Sequence, residues 1–235
     1  MRRLIKAELY KLIHDRSFFI LSALSILLGS VIMLGQEQLS GYESIFASLY
    51  NVPLMMLLTS VFGALYIGRD LAERTLYHAI CSGYKRNHVF FSKAIVFIIG
   101  SNIILLAQPI LCVLLNTFMN GWGVNTFLSD FGYIAGIFGI TIILNSAMCG
   151  VSLITAFACK DVGKTLAIPA SIYFLVIFLL NSSNAETIAR FVPLGQLRLL
   201  LEQSSSLALA LFVGVLYFTI MYIIANIIFN VSELK

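Results

Sequence analysis

Charged residues are scarce in this sequence. Asp, Glu, Lys and Arg make up 11% of the 235 residues, whereas a soluble domain carries about 25%. Hydrophobic residues account for 60% of the chain, and the mean hydropathy is +0.95. A water-soluble globule of this length needs more polar surface than these residues provide. The composition therefore excludes a soluble domain and predicts an integral membrane protein.

Cysteine and histidine are also few, and their positions exclude several kinds of site. The four cysteines suggest no disulfide framework, because none is expected on the oxidising side of a membrane. No histidine falls within an apolar run, so an intramembrane protease lacks its usual base. His78 and Cys81 lie three residues apart, which is thin evidence for a zinc site. We therefore expect no catalytic residue, no metal site and no charged side chain inside the spans.

Apolar residues form six long runs. Continuous apolar character over ~20 residues is typical of a membrane-spanning helix. The runs do not alternate apolar and polar residues as barrel strands do. We predict an all-α membrane protein with six transmembrane helices, in a single domain covering residues 1–235. The runs cover residues 18–35, 45–67, 89–118, 131–158, 166–180 and 206–229.

The basic residues cluster on one side of these runs. Thirteen of the 15 Lys and Arg residues fall in segments 1–16, 68–93 and 160–164 or at Lys235, and the other two share one loop on the opposite side. Because basic loops stay in the cytosol, we predict a multi-pass protein of the cell membrane with both termini cytoplasmic. The net charge of +4 then reflects topology, and no nucleic-acid partner is expected.

Three segments outside the runs carry patterns of their own. Residues 1–16 predict an amphipathic helix in the membrane interface, the alternative being a basic flank that only orients the chain. Residues 68–88 mix charged and apolar residues and predict a short cytoplasmic helix broken at Ser82-Gly83. Residues 181–205 are apolar but interrupted near Pro193. They predict either a re-entrant outer hairpin or a loop packed on the helix ends.

Small and uncharged polar residues lie within the runs. Gly132-x-x-x-Gly136 and Ser146-x-x-x-Gly150 predict close helix approach within the bundle. Amides at membrane depth bond neighbouring helices or line a cavity. The amides are Asn51, Asn102, Gln108, Asn116 and Asn145, and all except Asn102 are candidate pathway residues.

Residues 158–165 end in Gly163-Lys164-Thr165, as a phosphate-binding loop does. Such a loop has glycine at its first position, where this chain has Ala158, and it follows a strand in a soluble α/β domain. Here the stretch joins two apolar runs. We therefore interpret it as a chance match and assign no nucleotide site.

The order of these features resembles the permease subunits of type 2 ATP-binding-cassette (ABC) exporters. Residues 1–19, which open Met-Arg-Arg-Leu-Ile-Lys-Ala-Glu-Leu-Tyr-Lys-Leu, are similar to the family's interfacial helix and first span. Residues 62–70, 74–76, 82–86 and 92–93 resemble the loop that follows the second span. Asp70, Thr75, Arg86 and Lys93 match the family pattern. Arg74 stands where the family usually has glycine.

The resemblance implies partners as well as a fold. Two permease subunits, identical or sister chains, would form a pathway for amphipathic peptides or antimicrobials. Separate cytosolic ATPase subunits would bind ATP and Mg²⁺, so this chain would bind no cofactor and would not be an enzyme. Segment 68–88 would be the coupling helix, and segment 181–205 would close the outer gate. The implied coupling residues are Arg69, Asp70, Glu73, Arg74, Thr75, Lys85 and Arg86, and the implied gate residues are Phe191, Pro193 and Arg198.

Two other classes of function stay open. One is a non-transporting membrane scaffold or assembly protein, which would co-purify with no ATPase. The other is a lipid-modifying membrane enzyme, which needs ionisable residues clustered at one membrane face. Only segment 68–88 has such a cluster, and it lacks a pair of nucleophile and base.

Overall fold

The computed structural model describes residues 1–33, 39–123, 127–182 and 185–232, and within these ranges it contains helices and no strand. Lys235 and residues 183–184 of the predicted outer hairpin lie outside the described residues. The helices are α1 Arg2–His14, α2 Arg16–Met33, α3 Gly41–Tyr50, α4 Val52–Gly63, α5 Arg69–Ala72, α6 Thr75–Cys81, α7 Arg86–Asn120, α8 Phe127–Cys159, α9 Val162–Leu179, α10 Ala185–Phe191, α11 Pro193–Leu201 and α12 Leu207–Val231. A π-helix, Ala64–Gly68, joins α4 to α5.

Six helical stretches in the described part of the chain are long and apolar enough to cross a membrane. This confirms the predicted all-α class and the prediction of six helices suited to spanning, and it fits a multi-pass membrane protein. Much of the apolar surface of α2, α9 and α12 is exposed, as expected for helices that face lipid. The stretches are Arg16–Met33, Val52–Ala72, Arg86–Asn120, Leu128–Cys159, Val162–Leu179 and Leu207–Val231.

The second run, predicted as one helix over 45–67, is divided in the structure. A capping box starts α3: Ser40 accepts from the Glu43 backbone N–H, and Glu43 accepts from the Ser40 backbone N–H at 3.0 Å. The latter bond holds the pKa of the Glu43 carboxyl below its ordinary value. The chain then breaks at Asn51, and Pro53 lies in the first turn of α4. Hydropathy does not reveal this break, because both pieces are apolar.

The small-residue pairs have two different outcomes. Gly150 faces Met221 of α12 so closely that a Cβ atom there would lie 2.6 Å from the Met221 Cβ. The predicted close approach at Ser146-x-x-x-Gly150 is therefore confirmed, and α8 packs along α12. The prediction for Gly132 and Gly136 is wrong. No described atom lies within 4 Å of a Cβ built at either position, because that end of α8 is exposed.

Residues 158–165 form a helix-to-helix turn. α8 ends at Cys159, and Asp161 caps α9 by accepting a 2.8 Å hydrogen bond from the Lys164 backbone N–H. Thr165 is buried and donates its hydroxyl to the Asp161 carbonyl at 2.6 Å. No strand precedes the turn within the described residues. This geometry differs from that of a phosphate-binding loop.

Candidate functional site

The second span changes its winding at the π-helix just before its charged end. π-turns inside longer helices occur frequently at functional sites. Tyr66 lies in this segment and is buried, and Asp70 of α5 is only 5% exposed. The Tyr66 ring stacks on Phe62 of α4 with 5.2 Å between centroids. The span therefore directs a phenol and a carboxylate into the protein.

Lys93 of α7 is the partner that these groups meet. It is fully buried two turns into the helix. Its Nζ donates to the Glu8 Oε2 at 2.8 Å and also to the Asp70 carboxylate. The same Nζ lies 4.1 Å from the centre of the Tyr66 ring, a favourable cation–π distance. A buried ammonium needs such pairing, since an isolated charge in a low-dielectric interior is very costly.

Helix α1 supplies the remaining members. Glu8 accepts a 2.7 Å hydrogen bond from the Tyr66 hydroxyl as well as the bond from Lys93. Lys11 donates to the other Asp70 oxygen. Two carboxylates and two ammonium groups thus form a set without net charge. We call Glu8, Lys11, Tyr66, Asp70 and Lys93 the charge network.

The charge network joins three separate parts of the chain. It connects α1, the end of the second span and α7, which lie up to 85 residues apart in sequence. Removing one member of a buried ion pair typically costs about 3–5 kcal/mol, because a charge is left without compensation. The three elements are therefore expected to move as one body. In the described residues no group of His, Cys, Asp and Glu is placed to hold a metal ion.

Sequence reasoning placed two of these residues wrongly. Lys93 was expected in the basic loop 68–93, but it lies in α7 and is fully buried near the charged end of that helix. Asp70 was also expected to face a partner, but its carboxylate points inward because Lys93 and Lys11 neutralise it there. Glu8 was missed altogether. One signal was available: Glu8 is an acid within a basic amphipathic helix.

The other predicted coupling residues lie at the same end of the molecule as the charge network. Arg69 and Glu73 are exposed and pair with each other, with 2.7 Å between Nε and Oε1. Arg74, Thr75 and Lys85 are also exposed, and Thr75 donates its hydroxyl to the Asp70 carbonyl at 3.1 Å. Arg86 is only half-exposed. Its side chain reaches the end of α12 and donates to the Asn230 carbonyl at 2.8 Å. A cleft of ≈ 340 Å³ opens beside the network, with Lys11, His14, Asp15, Arg69, Glu73 and Thr75 among its lining residues.

Arg74 separates α5 from α6 in a left-handed conformation, with φ of 58°. The predicted single helix in segment 68–88 is therefore two short helices. A left-handed residue with a Cβ atom costs roughly 1–2 kcal/mol, which glycine avoids. Glycine, which the resemblance predicts at this position, would adopt this conformation without that strain.

We expect Arg74→Gly to raise the free energy of unfolding by about 1 kcal/mol through relief of this strain. Thermal unfolding of the detergent-solubilised protein measures the effect. Arg69→Gly is the matched control. Arg69 has helical φ and ψ and an ion pair, so its replacement is expected to destabilise. A drop in stability for Arg74→Gly as large as that of the control would contradict the assignment.

The predicted gate residues lie at the opposite end of the molecule. Gly68 rests against Val162 and Thr165 at the start of α9. The 18 residues of α9 rise about 27 Å from there. Arg198 of α11 donates to the Leu180 carbonyl beyond that helix at 2.6 Å. The segment forms two helices split before Pro193, as its sequence predicted; Pro193 is buried and Phe191 is exposed.

The candidate pathway amides make separate contacts. Asn51 donates to the Ala47 carbonyl at 3.3 Å, and Gln108 lies directly over Gly29 of α2. Asn116 bonds back to the Cys112 carbonyl of its own helix at 2.9 Å. Asn145 is fully buried, and its amide atoms have no hydrogen-bond partner among the described residues. Their assignment to a pathway stays a prediction.

No protein-family model matches the chain, and no curated protein matches it.

Proposed function

We propose that this chain is the permease subunit of a type 2 ABC exporter, driven by a separate cytosolic ATPase. The observation that carries the proposal is the charge network. It ties the short helix α5 to α1 and α7 through the buried Asp70 and Lys93, and the Thr75 hydroxyl joins α6 to the Asp70 carbonyl. A protein that receives force at one end needs such a rigid connection between its receiving segment and its spans. The six apolar helices and the order of sequence features support the same class.

In this proposal α1 lies in the cytoplasmic interface and α5–α6 dock on the ATPase. Arg69, Glu73, Arg74 and Lys85 are exposed and suit the polar rim of such an interface. ATP-driven closure of the ATPase would displace α5–α6. The charge network would pass that displacement to α1 and α7, since the three parts are bonded as one body.

The proposal also assigns the rest of the assembly. A second permease, identical or a sister chain, completes the pathway, and ATP and Mg²⁺ bind the partner ATPase. Helices α10 and α11 close the outer side, and both termini face the cytosol of a cell membrane. We propose amphipathic peptides or antimicrobials as the cargo, on the strength of the family resemblance.

An exchange of charges tests the docking surface. Arg69→Glu combined with Glu73→Arg keeps an opposite-charge i,i+4 pair but reverses the pattern that a partner meets. We expect the ATPase recovered with the tagged chain to fall about tenfold or more, as for the loss of two interfacial charge contacts. The measurement is ATP hydrolysis in the affinity-purified complex.

The matched control is Glu186→Arg combined with Arg190→Glu. This pair has the same spacing and is exposed on α10 at the opposite end of the bundle. The control should retain the ATPase at the wild-type amount. Full retention in the Arg69–Glu73 exchange, or equal loss in both exchanges, would reject the docking assignment.

A further inference from the structure

A second cleft lies at the end of the bundle opposite α1. Its volume is ≈ 190 Å³, and α3, α4, the end of α9 and α11 all contribute to its walls. The floor is aliphatic and consists of buried leucines from three of these elements. These floor residues are Leu49, Leu180, Leu194 and Leu197.

The size and lining of this cleft suit an apolar group. An enclosed cavity of about 150 Å³ lined by aliphatic side chains accommodates benzene. The cleft here is larger and opens beside Tyr50 and Leu54, which are each 45% exposed. A group that enters from the membrane interface would therefore bury several methylenes against the leucine floor, which favours binding.

The rim of the cleft is polar and carries a fixed cation. Arg198 donates from Nη1 to the Leu180 carbonyl at 2.6 Å and from Nε to the Glu202 carboxylate at 2.9 Å. Its guanidinium carbon lies 5.7 Å from the centre of the Tyr50 ring. The bond to Glu202 raises the pKa of Arg198 above its ordinary value, so the cation persists.

The Arg198 guanidinium keeps donors for a ligand. Of the five N–H groups of an arginine, the two bonds to described residues use two. The amides of Asn51 and Asn181 stand at the same rim. A leucine floor below a fixed guanidinium is complementary to a molecule with an apolar chain and an anionic oxygen head.

We propose that this cleft binds an anionic acyl amphiphile, with its carboxylate or phosphate at Arg198 and part of its chain on the leucine floor. The inference goes beyond the proposed function, because the site lies within one chain and requires no ATPase. It also gives Arg198 a role as a ligand-binding residue. The amphiphile is either a phospholipid of the surrounding bilayer or a free fatty acid, since both offer the same two groups.

Photolabelling tests this site. The full chain is placed in phosphatidylcholine nanodiscs with palmitate that carries a diazirine in its chain, irradiated, and digested for mass spectrometry. We expect the label in peptides that cover residues 49–54 and 194–201. Arg198→Gln should lower it about tenfold, as for the loss of one charge-assisted hydrogen bond. Arg190→Gln, an exposed arginine on α10 at the same end, should leave it unchanged.

A second variant tests the cleft itself. Leu54→Trp narrows the mouth from a half-exposed position, so the fold tolerates it while the label is expected to fall. Unlabelled phosphatidylglycerol that competes better than unlabelled palmitate identifies a phospholipid as the ligand, and the reverse order identifies a fatty acid. Labelling that is insensitive to Leu54→Trp or Arg198→Gln, or that neither phosphatidylglycerol nor unlabelled palmitate displaces, would overturn the proposal.

Discussion

Replacement of Lys93 by methionine is expected to lower the free energy of unfolding by about 3–5 kcal/mol, the cost of removing one partner from a buried ion pair. Methionine fills a similar volume, so lost packing contributes little. The variant leaves Glu8 and Asp70 with Lys11 as the remaining ammonium of the charge network. Unfolding of the detergent-solubilised protein by heat or denaturant measures the loss.

Two comparisons separate this effect from a general loss of a lysine. Lys85→Met removes an exposed lysine just before α7 and should change the stability by less than about 0.5 kcal/mol. Asp70→Asn should lower the free energy of unfolding much less in the Lys93→Met variant than in the wild-type protein, because Lys93, the main partner of Asp70, is absent from that variant. The resulting coupling energy between the two sites should be about 1–3 kcal/mol. Additive losses would show that Lys93 and Asp70 do not interact.

The second large effect is expected at Gly195, on the first turn of α11. A Cβ atom there would lie 2.3 Å from the Cα and 2.6 Å from the carbonyl oxygen of Ala189 in α10. Backbone atoms cannot move aside as a side chain does, so Gly195→Ala must separate the two helices. The Gln196 amide fixes the same corner by donating to the Arg190 carbonyl at 2.6 Å. We expect Gly195→Ala to lower the free energy of unfolding by about 3 kcal/mol or more and to loosen the packing of α10.

The control for this substitution is Gly139→Ala on α8. No described atom lies within 4 Å of a Cβ atom there, so the change should stabilise the helix by about 0.5–1 kcal/mol. Hydrogen exchange of α10 distinguishes a local opening from global unfolding, since only the former leaves α8 protected. Equal melting temperatures for the two variants would contradict the close contact between α10 and α11.

The spanning helices could be predicted from the sequence because an apolar run of about 20 residues is typical of a helix that crosses a membrane. The break between α3 and α4 at Asn51 could not be predicted from hydropathy. Helix α3 ends at Tyr50 and Pro53 lies in the first turn of α4, but the residues on both sides of Asn51 are apolar, so hydropathy treated 45–67 as continuous. Pro193 was the clearer signal, and the split that it predicted is confirmed.

The charge network was harder to predict because its members are far apart in sequence. Lys93 was noted as a matching residue, but nothing local indicates that it meets Glu8 across 85 positions. Charges near a span end are usually expected to reach water. Here α1 supplies the carboxylate of Glu8, and the π-helix leads to that of Asp70. Lys93 can be buried only because these tertiary contacts neutralise its charge. Likewise, Gly136 and Gly150 lie on one helix, and only the packing of α12 distinguishes their roles.

Site-specific photocrosslinking in intact cells tests whether a separate ATPase docks on the exposed face of α5 and α6. p-Benzoylphenylalanine is placed at Glu73 and, for comparison, at Arg190 at the opposite end. We expect position 73 to crosslink to a cytosolic protein containing a phosphate-binding loop, and position 190 not to. The contrary result would be no such adduct at Glu73, together with labelling of a cysteine at that position by a membrane-impermeant reagent added outside the cells.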